Sequence, residues 1–314
     1  MKPEILLIGS NGQIGRELKG MLPQLGEVKS LDRQQLDLSN AEEIRRAIRA
    51  FRPNLIVNAA AYTAVDKAES EEALARAVNA GAPAAMAEEA KKIGACLVHY
   101  STDYVFDGSK TSPYTEEDPT NPQNVYGKTK LEGEIAIQES GAPHLIFRTA
   151  WIYATEGRNF LLTILRLATQ REELRIVCDQ TGAPAASREI AKATIKVLSQ
   201  CLMPGNGAFS LGDLSGVYHM TAAGKTTWFE FAKAILEEAR TIEASTPWFA
   251  AATNNLPLIA RRIIPIPASE YPTPARRPAY SVLSNERLAR AFSVRLPDWH
   301  TQLHFVFTDP SFHP

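Results

Sequence analysis

The sequence predicts a doubly wound α/β fold: a parallel central sheet followed by a smaller α/β region. Three observations carry this. Short, continuous apolar runs alternate with helical patterns up to about residue 155. The first run leads at once into a glycine triplet and then a helix. Beyond residue 155 the alternation loosens, and prolines gather between Pro257 and Pro278.

Each element follows in order. Residues 5–8 (Ile-Leu-Leu-Ile) have no polar member, as in a strand covered on both faces. Residues 14–22 read as a helix and 28–31 as the second strand. Over 41–51, Ile44, Ala47, Ile48 and Phe51 form one apolar stripe of a helix. Residues 54–59 are the third strand. The alanine-rich stretch 71–93 is predicted as one helix stopped by Gly94. A fourth strand is expected over 95–100, a helix over 124–140 ended by Gly141, and a fifth strand over 144–149. This order implies right-handed crossovers between parallel strands. Further helices are expected over 160–169, 187–199 and 227–240. Residues 257–278 are expected as an irregular surface loop.

Composition excludes several classes. With 314 residues, 45% hydrophobic and 22% charged, the chain matches ordinary soluble proteins. A net charge of -1 leaves no electrostatic footprint for nucleic acid. No apolar run is long enough to span a bilayer, and no secretory signal is visible. Cys96, Cys178 and Cys201 are too widely spaced for a metal finger, which points to a reducing cytoplasm. Cys96 and Cys178 lie in apolar runs and are expected to be buried thiols.

The glycine triplet is Gly9, Gly12 and Gly15, interleaved with Asn11, Gln13 and Ile14. Gly9 allows a tight turn, Gly12 a close approach to a pyrophosphate, and Gly15 close helix–strand packing. Free amides at the helix start suit phosphates. The region is therefore read as a Rossmann-like, NADPH- or NADH-binding domain over 1–155, completed by later segments. Residues 156–314 are expected to be mainly the substrate-binding part. Asp32, ending the second strand, is placed to accept from the adenosine ribose and favours NADH. Arg33 beside it favours the 2′-phosphate of NADPH, so preference stays open. Asp37 and Leu38 border the adenine side, although Ser39 and Asn40 also suit a helix cap. Ala59, Ala60 and Ala61 end the third strand with small side chains that admit a flat ligand, and Tyr62 and Thr63 edge the same crevice.

Tyr126 and Lys130 stand four apart on a predicted helix and so share a face. A neighbouring ammonium is expected to lower the phenol pKa and ready Tyr126 to donate a proton to a carbonyl oxygen as hydride arrives. A hydroxyl partner should come from the end of the fourth strand: Thr102, or less readily Ser101.

Together, the Gly9–Gly15 loop, Thr102 and the Tyr126/Lys130 pair resemble the extended short-chain dehydrogenase/reductase family. Within it, segments 57–69, 99–106, 124–130, 147–151 and 179–184 resemble the dTDP-4-dehydrorhamnose reductases. The resemblance runs through nearly the whole chain. It implies reduction of the 4-keto group of dTDP-6-deoxy-L-lyxo-4-hexulose to dTDP-L-rhamnose by NAD(P)H. It casts Tyr126 as proton donor, Lys130 as its tuner and Thr102 as the carbonyl ligand, with Asp103 and Tyr104 adjoining. Trp151 matches a sugar-contacting tryptophan, and Asn159, Asp179, Gln180 and Arg277 are further pocket candidates. Some members are described with Mg2+ at a dimer contact near the position of Glu17, so a homodimer is conceivable while no second ligand is evident.

Two rivals share the fold. A 4,6-dehydratase carries Asp-Glu after the threonine, whereas here Asp103 precedes Tyr104; a 4-epimerase retains its cofactor. A non-catalytic, NADP-binding regulatory subunit often lacks part of the catalytic set, and here the set is present.

Overall fold

The apolar runs of the first half pair side by side. This computed structural model describes residues 2–203, 205, 207–241 and 246–312. β1 (Glu4–Ile8), α1 (Gln13–Met21), β2 (Glu27–Leu31), α2 (Ala41–Phe51) and β3 (Leu55–Asn58) open the chain. There follow α3 (Val65–Ala68), α4 (Glu72–Arg76), α5 (Ala82–Ile93), β4 (Cys96–Thr102), α6 (Val125–Ser140) and β5 (His144–Thr149). Then come β6 (Ile152–Tyr153), α7 (Phe160–Ala168), β7 (Glu173–Val177), β8 (Thr181–Gly182), β9 (Ala185–Ala186) and α8 (Ser187–Cys201). The rest is β10 (Gly216–His219), β11 (Thr226–Thr227), α9 (Trp228–Ala239), α10 (Pro247–Thr253), β12 (Arg262–Ile266), α11 (Glu286–Phe292) and α12 (Trp299–Thr308).

Six strands make one parallel sheet in the order β10-β5-β4-β3-β1-β2. The continuous apolar character of β1 is explained by what covers it. Ile5 and Leu7 join a cluster with α1 and α8, while Leu6 and Ile8 join one with α2 and α5. Each such side chain contributes about 1.5–3 kcal/mol by leaving water. β10 and α8 come from beyond residue 155, so later segments complete the sheet and its cover. A separate core of Tyr153, Leu165, Phe231, Trp248 and Val306 builds the smaller part.

Three expectations change. The helix expected over 71–93 is interrupted by a five-residue π-helical segment, Ala77–Gly81. Pro83 is the reason: it lacks an N–H and its ring crowds the carbonyl four residues earlier, that of Asn79. The proline-rich segment is not wholly irregular, because β12 pairs with β7. Pro265 is tolerated there because a two-stranded sheet has only edge strands. Of the two thiols expected to be buried, Cys96 is buried and Cys178 only half-buried, since Cys178 lies just past the end of β7; Cys201, on α8, is buried.

Candidate active site

A cavity of about 1100 Å³ runs across the carboxyl ends of β1, β2, β3 and β4 toward the smaller core. In parallel sheets this is where crossover loops leave a crevice.

Its first end is made largely of backbone. Gly9 has φ +84° and donates its N–H to Leu31 O at 2.8 Å. A Cβ at Gly9 would lie 2.7 Å from that of Ala60, and one at Gly15 would strike Gly9 O. The three strand ends therefore approach as only glycine permits. Gly12 caps α1 without a side-chain hydrogen bond, which leaves the helix amides to a ligand. Asn11 Nδ2 donates to Asp32 Oδ2 at 2.8 Å, fixing the carboxylate at the end of β2. Arg33 is exposed at the rim. Asp37 accepts from Ser39 N at 2.9 Å, and Asn40 caps α2. Gln13, Ile14, Leu38, Ala59, Ala60, Ala61, Tyr62 and Thr63 all line the cavity, as the sequence suggested. Asn79, which sequence reasoning missed, is buried in the π-helical segment. It accepts from Tyr62 N at 2.8 Å and donates to Thr129 at 3.2 Å, tying the β3 loop to α6.

The middle of the cavity brings Thr102, Tyr126 and Lys130 together. Asn124 caps α6, and Gly127 lets the helix press against Tyr104 O; a Cβ there would collide with it. Tyr126 shares a hydrogen bond with the Thr102 hydroxyl and meets Tyr104 edge to face at 5.8 Å. The expected lowering of the phenol pKa is not what the site produces. Burial pushes Tyr126 up, the Thr102 hydroxyl pulling the other way, and the charge of Asp103 adds to the rise. The Lys130 amine is instead turned to Tyr100 O, at 2.6 Å. Burial holds Lys130 down to about 8, against an upward pull from Glu134. Asp103 accepts from Thr102 at 3.0 Å and is pushed up to about 6 by burial. Ser101 also lines the cavity, but its hydroxyl is engaged elsewhere. It donates to Glu134, which forms a buried ion pair with Arg148 at 2.7 Å.

The far end is aromatic. Trp151 adopts φ +48° and stacks flat on Trp228, ring centroids 3.4 Å apart, with Phe160 beyond at 4.5 Å. Trp228 is not marked by the sequence motifs; its signal is an aromatic at the second position of the helix predicted over 227–240. Asn159 lines the cavity, but its polar atoms are engaged: it caps α7 and donates to Gln13 Oε1 at 2.9 Å and Ala154 O at 2.8 Å. Arg277 lines the cavity, pairs with Asp66 at 2.9 Å and bonds Tyr104. Asp179 is exposed and holds Ala268 N at 2.9 Å, outside the lining, as is Gln180. Glu17 is ion-paired with Arg188 at 2.9 Å. Among the described residues no cluster of three metal-ligand side chains lies within this chain, and the Glu17 carboxylate is taken up by Arg188.

Comparison with known proteins agrees with this geometry. The family model described as RmlD substrate binding domain matches residues 1–311. A dTDP-4-dehydrorhamnose reductase of Burkholderia thailandensis is 50% identical over 94% of this chain and 95% of its own. One from Escherichia coli K12 is 44% identical over 94% of both chains. The solved dTDP-4-dehydrorhamnose reductase of Bacillus anthracis in complex with NADP superposes with a TM-score of 0.84 at 32% identity, covering 96% of this chain and 98% of that one.

Proposed function

Because the chain belongs to the RmlD substrate binding domain family, we propose that it reduces dTDP-4-dehydro-L-rhamnose to dTDP-L-rhamnose, with Tyr126 as the proton donor. The observation that carries the reading is the Tyr126 phenol, hydrogen-bonded to Thr102 in the cavity that opens from the glycine loop.

The reduced nicotinamide, NADPH or NADH, supplies hydride to C4 of the sugar. Charge then develops on O4, and contacts that strengthen with it lower the barrier. Burial keeps the Tyr126 phenol protonated through neutral pH, so it holds a proton ready for O4. Thr102 turns its hydroxyl toward the same oxygen. Lys130 lies one turn further along α6 and answers the phenolate that remains. Asp103 accepts the Thr102 hydrogen bond in the resting arrangement and releases the hydroxyl to the carbonyl when it arrives. Tyr104 fills the position where a dehydratase carries glutamate and packs its ring on Tyr126, which supports reduction without elimination. Trp151, backed by Trp228, offers the sugar a flat apolar wall, with Asn159 at its edge. The backbone-lined end takes the dinucleotide: Gly9 to Gly15 the pyrophosphate, Asp32 and Arg33 the ribose, Asp37 and Leu38 the adenine border, and Ala59 to Thr63 its inner face. Among the described residues no helix is long and apolar enough to cross a membrane. Free cysteines accord with the reducing cytoplasm as the place of reaction, and a homodimer is the assembly to test.

Turnover of dTDP-4-dehydro-L-rhamnose with NADPH or NADH tests the reading. Wild type consumes reduced cofactor, and Tyr126→Phe loses roughly 10²- to 10⁴-fold in kcat. Equal rates in the two proteins sink Tyr126 as the acid.

A further inference from the structure

Lys130 sits in a polar pocket whose hydrogen bonds leave little freedom. Its Nζ donates to Tyr100 O at 2.6 Å and lies 3.1 Å from Nε2 of His99. Nδ1 of His99 lies 3.0 Å from Nδ2 of Asn58. Asn58 Oδ1 in turn accepts from Ala60 N at 3.1 Å. Asn58, His99 and Lys130 are 0%, 1% and 1% exposed. The polarity of these bonds is therefore settled inside the chain of groups rather than by water.

A backbone N–H only donates. Ala60 thus sets Asn58 with its carbonyl oxygen toward Ala60 and its NH2 toward His99. His99 must accept at Nδ1. A neutral imidazole that accepts there carries its proton on Nε2. Burial, with the Lys130 charge, holds His99 well below the usual imidazole range, so the ring is neutral. Its Nε2–H points at the Lys130 amine. An uncharged amine accepts that hydrogen bond on its lone pair while donating to Tyr100 O. An ammonium has no lone pair and meets N–H with N–H.

We propose that His99 is a positioning residue for Lys130: set as the Nε2–H tautomer by Asn58 and Ala60, it donates to the Lys130 amine and stabilises the uncharged form left when Lys130 yields a proton toward the Tyr126 phenolate. The inference rests on the proton-handling roles proposed above. The protons balance. The Tyr126 O–H bond breaks as O4 is protonated, the phenolate regains its proton from the Lys130 ammonium, and the amine is reprotonated from solvent through the cavity both line. The groups facing Lys130 are Tyr126 and Glu134 on α6, His99 on β4 and, behind His99, Asn58 on β3. Arg148 on β5 neutralises Glu134. Glu134 favours the charged amine, and His99 offsets it.

The test reads the tautomer directly. Long-range proton–nitrogen NMR of the six histidines in the full chain, with His99→Phe to assign the signal, shows each ring's protonation. His99→Gln serves for assignment if His99→Phe does not fold. The expected result is an uncharged, Nε2-protonated His99 from about pH 6 to pH 9. An Nδ1–H tautomer or a charged ring in that range overturns the proposal. A second arm uses Asn58→Asp, which replaces the donor facing His99 by an acceptor. It is expected to switch His99 to Nδ1–H and to move the basic limb of the kcat–pH profile up by roughly one unit, with KM within about twofold. A folded Asn58→Asp protein whose limb stays in place overturns the proposal as well. Full activity in Tyr126→Phe removes the underlying reading instead, and the tautomer result separates the two failures.

Discussion

The two ends of the cavity are built by different means. The end we assign to the dinucleotide is backbone: Gly9 and Gly12 in the loop, Gly15 at the start of α1, and three alanines at one strand end. The end we assign to the sugar is side chains brought from afar: Trp151 after β5 stacked on Trp228 of α9, with Phe160 of α7 tilted against Trp228 behind them. A site made of local backbone depends on a few adjacent residues. A site made of converging side chains depends on the packing of the whole smaller core.

If the ends are built separately, they should fail separately. The largest effect is expected from Gly15→Val, whose side chain has no room beside Gly9 O. NADPH binding by titration calorimetry should fall more than about 100-fold, with dTDP binding within about threefold. Equal loss of both ligands breaks the comparison.

Next is the junction between the ends. Lys130 is held down to about 8, and its acid form is present below that value. Reduction consumes a proton, so kcat should be level below about pH 8 and fall toward tenfold per unit above it. A limb near pH 10 would show that burial does not govern this amine.

Trp228→Ala comes third. It removes the backing of Trp151 and should raise KM for the dTDP-sugar roughly two- to tenfold, the worth of one aromatic pair, while leaving the NADPH dissociation constant alone. A changed NADPH affinity with unchanged KM would place Trp228 at the wrong end. The smallest effect belongs to Arg33→Ala. Its charge is exposed and screened, so kcat/KM with NADPH should drop only about two- to fivefold, and with NADH not at all. A larger fall with NADH than with NADPH rules out a 2′-phosphate contact.

Much of this is legible in the sequence. Continuous apolar runs mark strands covered on both faces: residues 5–8 lie in β1 and Leu145, Ile146 and Phe147 in β5. Asn124 and Gly141 bound α6 because a side-chain acceptor and a left-handed glycine are local requirements. The π-helical segment was less visible, because alanine content hides the single clash that Pro83 imposes one turn earlier.

The sequence by itself determined the strand–helix alternation, the glycine loop and the Tyr126–Lys130 spacing, since each is a pattern within a few residues; the strand pairing itself joins positions 23 to 71 apart. Tertiary structure decided the rest. It turned the Lys130 amine toward Tyr100 O and His99, left the Tyr126 phenol raised by burial, and set Trp228 behind Trp151. Those outcomes depend on desolvation and on partners 30 to 77 positions apart, which no local pattern encodes.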